Sequence, residues 1–324
     1  MKCLPALARM VLLSCLGLAP FAALAADTGF PSRPVTLVIP FPPGGATDVN
    51  GRVIAQRLGK ELGQPVVIEN RGGAGTVIGA SYVSKAVPDG YTLLISSGTT
   101  FTVNPAIRPN LPYDPVKGFE PIGLAGRVGL ILLANSEVPV QTVKQFVDYV
   151  KASPGKYSYA SYGTGTTSQF AGETILHAAG LKMTHVPYKG SAPAMTDLMG
   201  GQVPFSVDTV SAAIPQLKSG KIKAIAVTTA KRSTLLPDVP TMAESGYPEV
   251  STDTWLVLAA PKGLPPEVKA KLEKALAATI ADPDTRAKLS AQGLEPGYSN
   301  SAAVGELIAK ELPQMRAIAA RANI

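Results

Sequence analysis

The stretch Val35–Asp48, VTLVIPFPPGGATD, carries the strongest structural signal in this chain. An apolar strand leads into a Pro/Gly loop, and the loop opens a helix that we predict over Val49–Leu62. We expect Thr47 and Asp48 to cap that helix. The first N–H groups of a helix have no partner within it and carry partial positive charge, so this junction predicts an anion site. No Lys follows the glycines, and the phosphate-binding P-loop pattern is therefore absent.

Strand-like and helix-like runs alternate through most of the chain, which favours an α/β fold with mostly parallel sheets. The predicted strands are Val35–Phe41, Val66–Glu69, Tyr91–Ser96, Leu130–Ala134, Tyr157–Tyr162 and Ile222–Thr228. The predicted helices after the first are Thr76–Ala86, Val140–Lys151, Ser168–Ala179, Ala192–Gly200, Pro266–Thr279, one starting at Pro283, and Ser301–Ala320.

The strand–loop–helix arrangement occurs a second time, in the other half of the chain. There the predicted strand Tyr157–Tyr162 is followed by the Gly/Thr loop Gly163–Ser168 and then by a helix. Two anion-binding helix starts, one in each half, predict two lobes that meet across a cleft. The length of 324 residues agrees with two domains. Phe41 leads directly into the first loop and is a candidate ligand contact.

The first 25 residues have the features of a cleavable secretion signal. Lys2 and Arg9 give a basic start, Met10–Leu24 is an apolar core, and Ala23–Ala25 fits the small-x-small cleavage rule. The alternative is a lipoprotein signal at Leu12–Cys15, which would require cleavage inside the apolar core. We expect export to the periplasm, because no later stretch is apolar for long enough to cross a membrane.

Composition argues against several classes of function. Both cysteines, Cys3 and Cys15, lie in the predicted signal, so the mature chain would have neither a disulfide nor a thiolate metal site. The net charge of +7 falls to +5 once the two basic residues of the signal are removed, and no basic stripe interleaved with aromatic residues indicates nucleic acid. His177 and His185 do not have metal-ligand spacing. We expect no metal, no cofactor and no nucleic-acid partner.

The glycine-rich stretch Gly72–Gly75 follows a predicted strand and resembles a dinucleotide-binding fingerprint. Ile78 stands where that fingerprint has its third glycine, and Gly79 comes one residue late. We interpret the stretch as a tight turn that brings the next helix close to the sheet.

The whole chain after the signal resembles the Bug family, the extracytoplasmic solute-binding components of tripartite tricarboxylate transporters. The segments that carry the resemblance are PFPPGGATD at 40–48, ENRGGAGTVIG at 69–79, PDGYTLL at 88–94, YDPVKGFEPI at 113–122, HVPYKGSAPAMTDLMGGQV at 185–203, LPDVPTMAESGYP at 236–248 and TWLVLAAPKGLP at 254–265. The resemblance implies a two-lobed periplasmic-binding-protein fold of type II-like form, with mostly parallel sheets flanked by helices and a hinge between the lobes. We expect lobe 1 over residues 26–127, lobe 2 over 128–228, and a return to lobe 1 over 229–324.

The resemblance also implies where a ligand carboxylate binds, because in this family the two loops and ordered water hold it. The positions implied are Gly45, Ala46, Thr47 and Asp48 in the first loop, Gly163, Thr164, Gly165, Thr166 and Thr167 in the second, Ser96, Ser97, Gly98 and Thr99 as a third wall, and Asp208 after a strand-like run. The helix after the second loop usually begins with His in the family, and here Gln169 takes that place. Gln keeps donor and acceptor capacity but does not titrate, so we expect binding to depend less on pH than with His.

These features together predict a non-enzymatic, monomeric binding protein. It would capture a small organic carboxylate (a di- or tricarboxylate, an amino acid or an aromatic acid) by hinge closure and deliver it to the permease subunits of a tripartite tricarboxylate transporter. Two alternatives stay open from the residues alone. One is a periplasmic hydrolase that uses hydroxyl or His groups of the cleft, and the other is a ligand sensor that feeds a signalling protein.

Overall fold

The first predicted strand and helix both form, but the helix begins three residues earlier than predicted. The computed structural model describes residues 29–322 and 324, so the predicted signal at 1–25 lies outside the described residues. Strand β1 covers Val35–Ile39 and helix α1 covers Ala46–Leu62. Gly45 precedes the helix in extended conformation, with φ −84° and ψ 171°. Thr47 and Asp48 therefore lie in the first helical turn, and the prediction that they cap the helix is wrong.

Strand β4 begins at Phe119, eleven residues before the predicted start at Leu130. The other predicted elements form within a few residues of their expected bounds, and several that were not predicted join them. The remaining described strands are β2 (Val66–Asn70), β3 (Thr92–Ser96), β4 (Phe119–Asn135), β5 (Ser158–Ser161), β6 (Thr184–Pro187), β7 (Phe205–Thr209), β8 (Ile222–Val227), β9 (Asp253–Pro261) and β10 (Leu294–Ser299). The remaining described helices are α2 (Val77–Ser84), α3 (Asn104–Ile107), α4 (Val143–Lys151), α5 (Thr167–Ala179), α6 (Ser191–Met199), α7 (Val210–Leu217), α8 (Pro266–Ala281), α9 (Pro283–Ala291) and α10 (Ser301–Ala322). A short π-helical segment, Thr99–Val103, precedes α3.

The long strand β4 divides the sheet into two groups of strands. Its first part, Phe119–Gly129, pairs antiparallel with β9, and it also pairs with β10. Its second part, Leu130–Asn135, pairs antiparallel with β7 and β8. We call β1, β2, β3, β9, β10 and the first part of β4 the first strand group, and β5 to β8 with the second part of β4 the second strand group.

Parallel pairing dominates at the outer side of each group. Strand β1 lies parallel between β2 and β3, and β5 lies parallel between β6 and β7. Antiparallel pairing is confined to β4 and β9 and their neighbours, where the chain passes from one group to the other. The predicted α/β class is confirmed, whereas the division into lobes at residues 127 and 228 stays a prediction.

Each strand group has its own apolar core. In the first, Phe101 stacks on Trp255 with ring centroids 5.9 Å apart, and Phe119 packs edge-on against Phe101. In the second, buried side chains recur along α4 at helical spacing and pack on the sheet around Phe205. Met242 belongs to this second core, although it lies in the segment that we expected to return to lobe 1.

Residues Pro31–Ile324 form one compact unit. Among the helices of the described residues, none combines the length and the apolar character needed to span a bilayer.

Helix α9 starts as the sequence predicts and offers a direct test of its cap. Asp282 precedes Pro283, and its Oδ2 accepts hydrogen bonds from the backbone N–H and the hydroxyl of Thr285 at 2.9 and 2.7 Å. We expect Asp282→Ala to lower the free energy of unfolding by about 1 kcal/mol, because the first turn loses its acceptor. Urea unfolding checks this, with Asp284→Ala, an exposed acidic residue of the same turn, as the control. Equal losses in the two variants would contradict a capping role.

Candidate functional site

A small cavity lies where elements of both strand groups meet, and we call it the inner cavity. The space open to the centres of water molecules is about 20 Å³, somewhat more than the roughly 10–15 Å³ that one water needs. The polar side chains among its lining residues all carry hydroxyls, and none of its lining side chains is charged. The lining residues are Phe41, Pro42, Gly45, Ala46, Thr47, Ser97, Tyr162, Gly190, Ser191, Thr209, Thr254 and Leu256.

Three helices begin at the inner cavity. Gly45 precedes α1, Ser191 is the first residue of α6, and Thr209 caps α7 by accepting the Ala212 N–H at 3.2 Å. Each helix start presents backbone N–H groups without intrahelical partners and a partial positive charge. Because α1 belongs to one strand group and α6 and α7 to the other, both groups contribute to an anion-binding environment.

The first loop is held in place by Asp48, which lines neither this cavity nor the larger one described below. Its Oδ2 accepts from the Gly44 N–H at 3.0 Å, and its two oxygens also accept from Arg52 at 3.1 and 2.9 Å. Asn70 Nδ2 donates to Oδ1 at 2.9 Å and to the Phe41 carbonyl at 3.1 Å. Burial opposes ionisation, but the hydrogen bonds from Arg52, Gly44 and Asn70 outweigh it and lower the pKa of Asp48. Asp48 therefore fixes the conformation of the first loop without lining either cavity.

The second loop is held in the same way by Gln169. Its Oε1 accepts the backbone N–H of Gly165 at 2.8 Å, and the side chain is buried. The hydroxyl of Thr166 donates to the Gly163 carbonyl at 2.7 Å across the loop. A neutral amide at position 169 thus fixes the loop, and its carbonyl oxygen does what an ionised His could not, because imidazolium has no acceptor.

The third wall links the two strand groups. Ser97 lines the inner cavity, while Ser96 is fully buried, with its Oγ 2.6 Å from Thr100 Oγ1. Thr99 Oγ1 accepts the backbone N–H of Thr167 at 3.2 Å, so the start of α5 in the second group is bonded to the first group. Gly98 lies against the indole of Trp255, where a Cβ would sit 3.4 Å from the ring.

A buried carboxylate, Asp208, lies behind two hydroxyls of the inner cavity. Its Oδ1 accepts from Ser191 Oγ at 2.8 Å, from the Thr209 N–H at 2.6 Å and from Thr209 Oγ1 at 3.2 Å. Its Oδ2 has no hydrogen-bond partner among the described residues. Asp208 is 0 % exposed, and this burial raises its pKa to about 6, against the opposing hydrogen bonds from Thr209 and Ser191. An anion in the inner cavity would favour the protonated form further.

A second, larger cavity adjoins the inner cavity, and we call it the outer chamber. It measures about 510 Å³ on the same scale and shares Phe41, Pro42, Tyr162 and Gly190 with the inner cavity. The rings of Phe41 and Tyr162 meet edge to face, with centroids 6.1 Å apart. This aromatic pair therefore forms part of the wall between the two spaces.

The predicted site residues fall into three sets. Those that line the inner cavity are Phe41, Gly45, Ala46, Thr47 and Ser97. Those that line the outer chamber are Phe41 again, Gly163, Thr164 and Thr166. Those that line neither are Asp48, Ser96, Gly98, Thr99, Gly165, Thr167, Gln169 and Asp208.

Sequence reasoning missed Ser191 and Thr209, although the signal was present. Ser191 follows a strand, Thr209 is the last residue of one, and both stand at the start of a helix. Ser191 comes directly after Gly190, whose φ of +108° is accessible mainly to glycine. The same strand–glycine–helix criterion applied to the segment HVPYKGSAPAM at 185–195 would have identified it.

The two strand groups touch directly around the site. Asn50 Nδ2 donates to Ser211 Oγ at 3.3 Å, between α1 and α7. Gly75 approaches the second loop so closely that a Cβ there would lie 2.7 Å from the Thr164 carbonyl oxygen. These contacts connect the two strand groups directly.

Ser161 and His185 form the hydroxyl–imidazole pair nearest to the second loop, and they bear on the hydrolase alternative. Ser161 Oγ lies 2.6 Å from His185 Nε2 and also 3.2 Å from the backbone N and O of Gly163. Ser161 is 0 % exposed, and neither residue lines the inner cavity or the outer chamber. Burial lowers the pKa of His185 to about 4. The pair therefore contacts the second loop and faces neither the inner cavity nor the outer chamber.

We searched the described part of the chain for clusters of side chains that could bind a metal ion. Among residues 29–322, no group of three or more His, Cys, Asp or Glu side chains is arranged to hold a metal ion.

Comparison with known proteins agrees with this architecture. The family model described as "Tripartite tricarboxylate transporter family receptor" matches residues 51–324. The solved structure of the periplasmic binding protein BugD is 39 % identical, covers 91 % of this chain and 99 % of BugD, and superposes with a TM-score of 0.86.

Two further solved structures contain ligands. Rpa4515 of R. palustris, determined with adipate, is 36 % identical, with 91 % of this chain and 99 % of that chain covered and a TM-score of 0.88. MatC from Rhodopseudomonas palustris, determined with bound malate, is 33 % identical, with 89 % and 99 % covered and a TM-score of 0.83. The family match over most of the chain and the likeness to BugD along nearly its full length leave one assignment: this chain belongs to the tripartite tricarboxylate transporter receptors, the family of the Bug periplasmic binding proteins.

Proposed function

We propose that this chain is a periplasmic receptor that binds a small organic carboxylate between its two strand groups. The observation that carries the proposal is the convergence of three helix starts, from α1, α6 and α7, on one hydroxyl-lined cavity. Helix starts attract anions without needing a cationic side chain, and the lining of the inner cavity includes none. Family relatives determined with adipate and malate support a carboxylate as the anion.

Binding uses backbone N–H groups around Gly45 and Ala46 and the hydroxyls of Thr47 and Ser97. The hydroxyl of Thr254 also lines the inner cavity, and it is buried without a hydrogen-bond partner among the described residues. A buried polar group without a partner is costly, so a ligand oxygen there gains a hydrogen bond that the protein alone does not supply. Asp48 and Gln169 hold the two loops and do not touch the ligand.

Capture proceeds by closure of a hinge formed by β4 and β9. Closure brings helix starts from both groups onto the carboxylate and removes it from water, where charge-assisted hydrogen bonds are stronger. The closed receptor then delivers the ligand, unchanged, to the permease of a tripartite tricarboxylate transporter. A monomer suffices for this role, because the inner cavity is built from one chain.

Thermal melting of the refolded mature protein, residues 26–324, tests the carboxylate assignment. The panel contains mono-, di- and tricarboxylates and aromatic acids, with the neutral amide of each acid as its control. An acid at about 100 times its dissociation constant should stabilise the fold by roughly 2.7 kcal/mol. For a chain of this size the melting temperature then rises by several degrees, at roughly 2–4 °C per kcal/mol. Shifts that are equal for acids and amides, or no shift with any acid, would overturn the proposal.

Two further measurements separate the alternatives. Recovery of the ligand after incubation distinguishes a receptor from a hydrolase, because a receptor returns it unaltered. Uptake of the identified ligand by a deletion strain distinguishes delivery to a permease from signalling, because only delivery makes uptake depend on this chain.

A further inference from the structure

The sizes of the two cavities limit how a ligand can lie. The inner cavity, at about 20 Å³, matches a group of carboxylate size, while the adjoining outer chamber has about 510 Å³. A ligand whose carboxylate occupies the inner cavity can extend into the outer chamber beside Phe41 and Tyr162, which line both spaces. The outer chamber consequently decides what the far end of the ligand can be.

The outer chamber is positively charged, in contrast to the inner cavity. Its charged lining residues are Arg108 and Lys189, and no Asp or Glu lines it. Neither cation has a carboxylate within 4.0 Å in the described part of the chain. Cations without acidic partners on the wall of a cavity favour an anionic occupant.

Arg108 is also held in position. Its Nε donates to Asn104 Oδ1 at 2.8 Å, and Asn104 Nδ2 donates to the carbonyl of Thr99 at 3.0 Å. The guanidinium lies beside the second loop, with Nη2 3.5 Å from where a Cβ on Gly165 would stand. Arg108 follows α3, next to the first strand group, yet its charged end lies against the second loop. Arg108 lines the outer chamber, and the hydrogen bond from its Nε restricts the orientation of its guanidinium.

We propose that the outer chamber is a second anion subsite and that Arg108 is its specificity-determining residue. This inference rests on the proposed function, because it requires a first carboxylate in the inner cavity. The favoured ligand is then an elongated molecule with an anionic group at each end. The guanidinium of Arg108 binds the far group through paired N–H donors, and Lys189 adds a less directional charge.

Isothermal titration of the refolded mature protein with α,ω-dicarboxylates of four to eight carbons tests the subsite. Monocarboxylates of the same chain lengths are the matched ligands, and Arg316→Gln, which removes an exposed arginine on α10, is the matched variant. We expect the best dicarboxylate to bind the wild type about tenfold more tightly than its monocarboxylate. In Arg108→Gln this difference should disappear, through a loss of about tenfold for the dicarboxylate and none for the monocarboxylate. Arg316→Gln should keep the difference.

Each other result overturns the inference. Equal affinities of mono- and dicarboxylates for the wild type would do so without any variant. Equal weakening of both ligands in Arg108→Gln would assign Arg108 a structural role, and circular dichroism melting of that variant checks its fold. If no carboxylate binds the wild type at all, the proposed function fails as well, and the two failures are thereby distinguished.

Discussion

Gly75→Ala is expected to weaken ligand binding about thirtyfold. Its effect on the free energy of unfolding should be no larger than that of alanine at another glycine with positive φ. A Cβ at position 75 would lie 2.7 Å from the Thr164 carbonyl oxygen and 3.4 Å from that of Gly165. Both oxygens belong to the backbone of the second loop and cannot rotate away. The clash therefore destabilises the arrangement in which the two strand groups are in contact. Overpacking of this kind costs about 1–3 kcal/mol, and about 2 kcal/mol corresponds to a thirtyfold change in affinity.

Gly63→Ala is the matched control for the backbone strain. Gly63 has φ of +72°, close to the +60° of Gly75, and a Cβ there meets nothing within 4 Å. Both variants lose about 1 kcal/mol of stability from a non-glycine residue in the left-handed region, but only Gly75→Ala opposes closure. Isothermal titration measures the affinities, and small-angle scattering measures whether the protein contracts on binding. If Gly75→Ala binds and contracts as Gly63→Ala does, hinge closure through this contact is excluded.

The parts of the fold that depend on neighbouring residues were predictable from the sequence. The run from Val35 to Leu62 is a strand, loop and helix because apolar periodicity and glycine placement are encoded within about 30 residues. The start of α9 at Asp282 and Pro283 is a signal of the same local kind. The start of α1 was misplaced because Gly45 takes an extended backbone that a helix can follow directly, so no side-chain cap was needed at Thr47 or Asp48.

The parts that depend on distant residues were not predictable in this way. The apolar run of β9 is compatible with parallel or antiparallel pairing, and its partner in β4 lies more than 100 residues earlier. The resemblance implied that Asp48 contacts a ligand. In the structure its carboxylate accepts hydrogen bonds from Arg52 and from Asn70, and the contact with Asn70 crosses from α1 to β2. Side-chain direction at a helix start is set by such tertiary partners, which a single sequence does not display.

Asp208→Asn is expected to remove most of a pH dependence of stability that the wild type shows between pH 4 and 7. The pKa of Asp208 in the folded protein is about 6, above the ordinary value of 3.8, because the carboxyl group is buried. The protonated form is therefore favoured in the fold. Its contribution to stability is fully present below about pH 4 and is lost as the pH rises through 6. A difference of about two pKa units corresponds to about 3 kcal/mol at most.

Urea unfolding of the wild type and the variant at pH 4.5, 6 and 7.5 measures this contribution. Asp208→Asn keeps an acceptor for Ser191 and Thr209 but carries no charge, so its free energy of unfolding should exceed that of the wild type increasingly as the pH rises. Asp238→Asn, at an exposed position, should follow the wild type at every pH. A constant difference between Asp208→Asn and the wild type would show that Asp208 does not titrate in this range.

The same carboxyl group should make ligand binding depend on pH. Ser191 and Thr209 line the inner cavity and donate to Asp208, so an anion bound there is close to any charge on that side chain. Like charges repel, and the wild type should therefore bind a fully ionised carboxylate more weakly at pH 7.5 than at pH 5.5. Titration calorimetry with Asp208→Asn at the two pH values should give equal affinities, since position 208 is then neutral at both. A pH dependence that survives in the variant would assign the effect to another group and leave Asp208 with a purely structural part in the site.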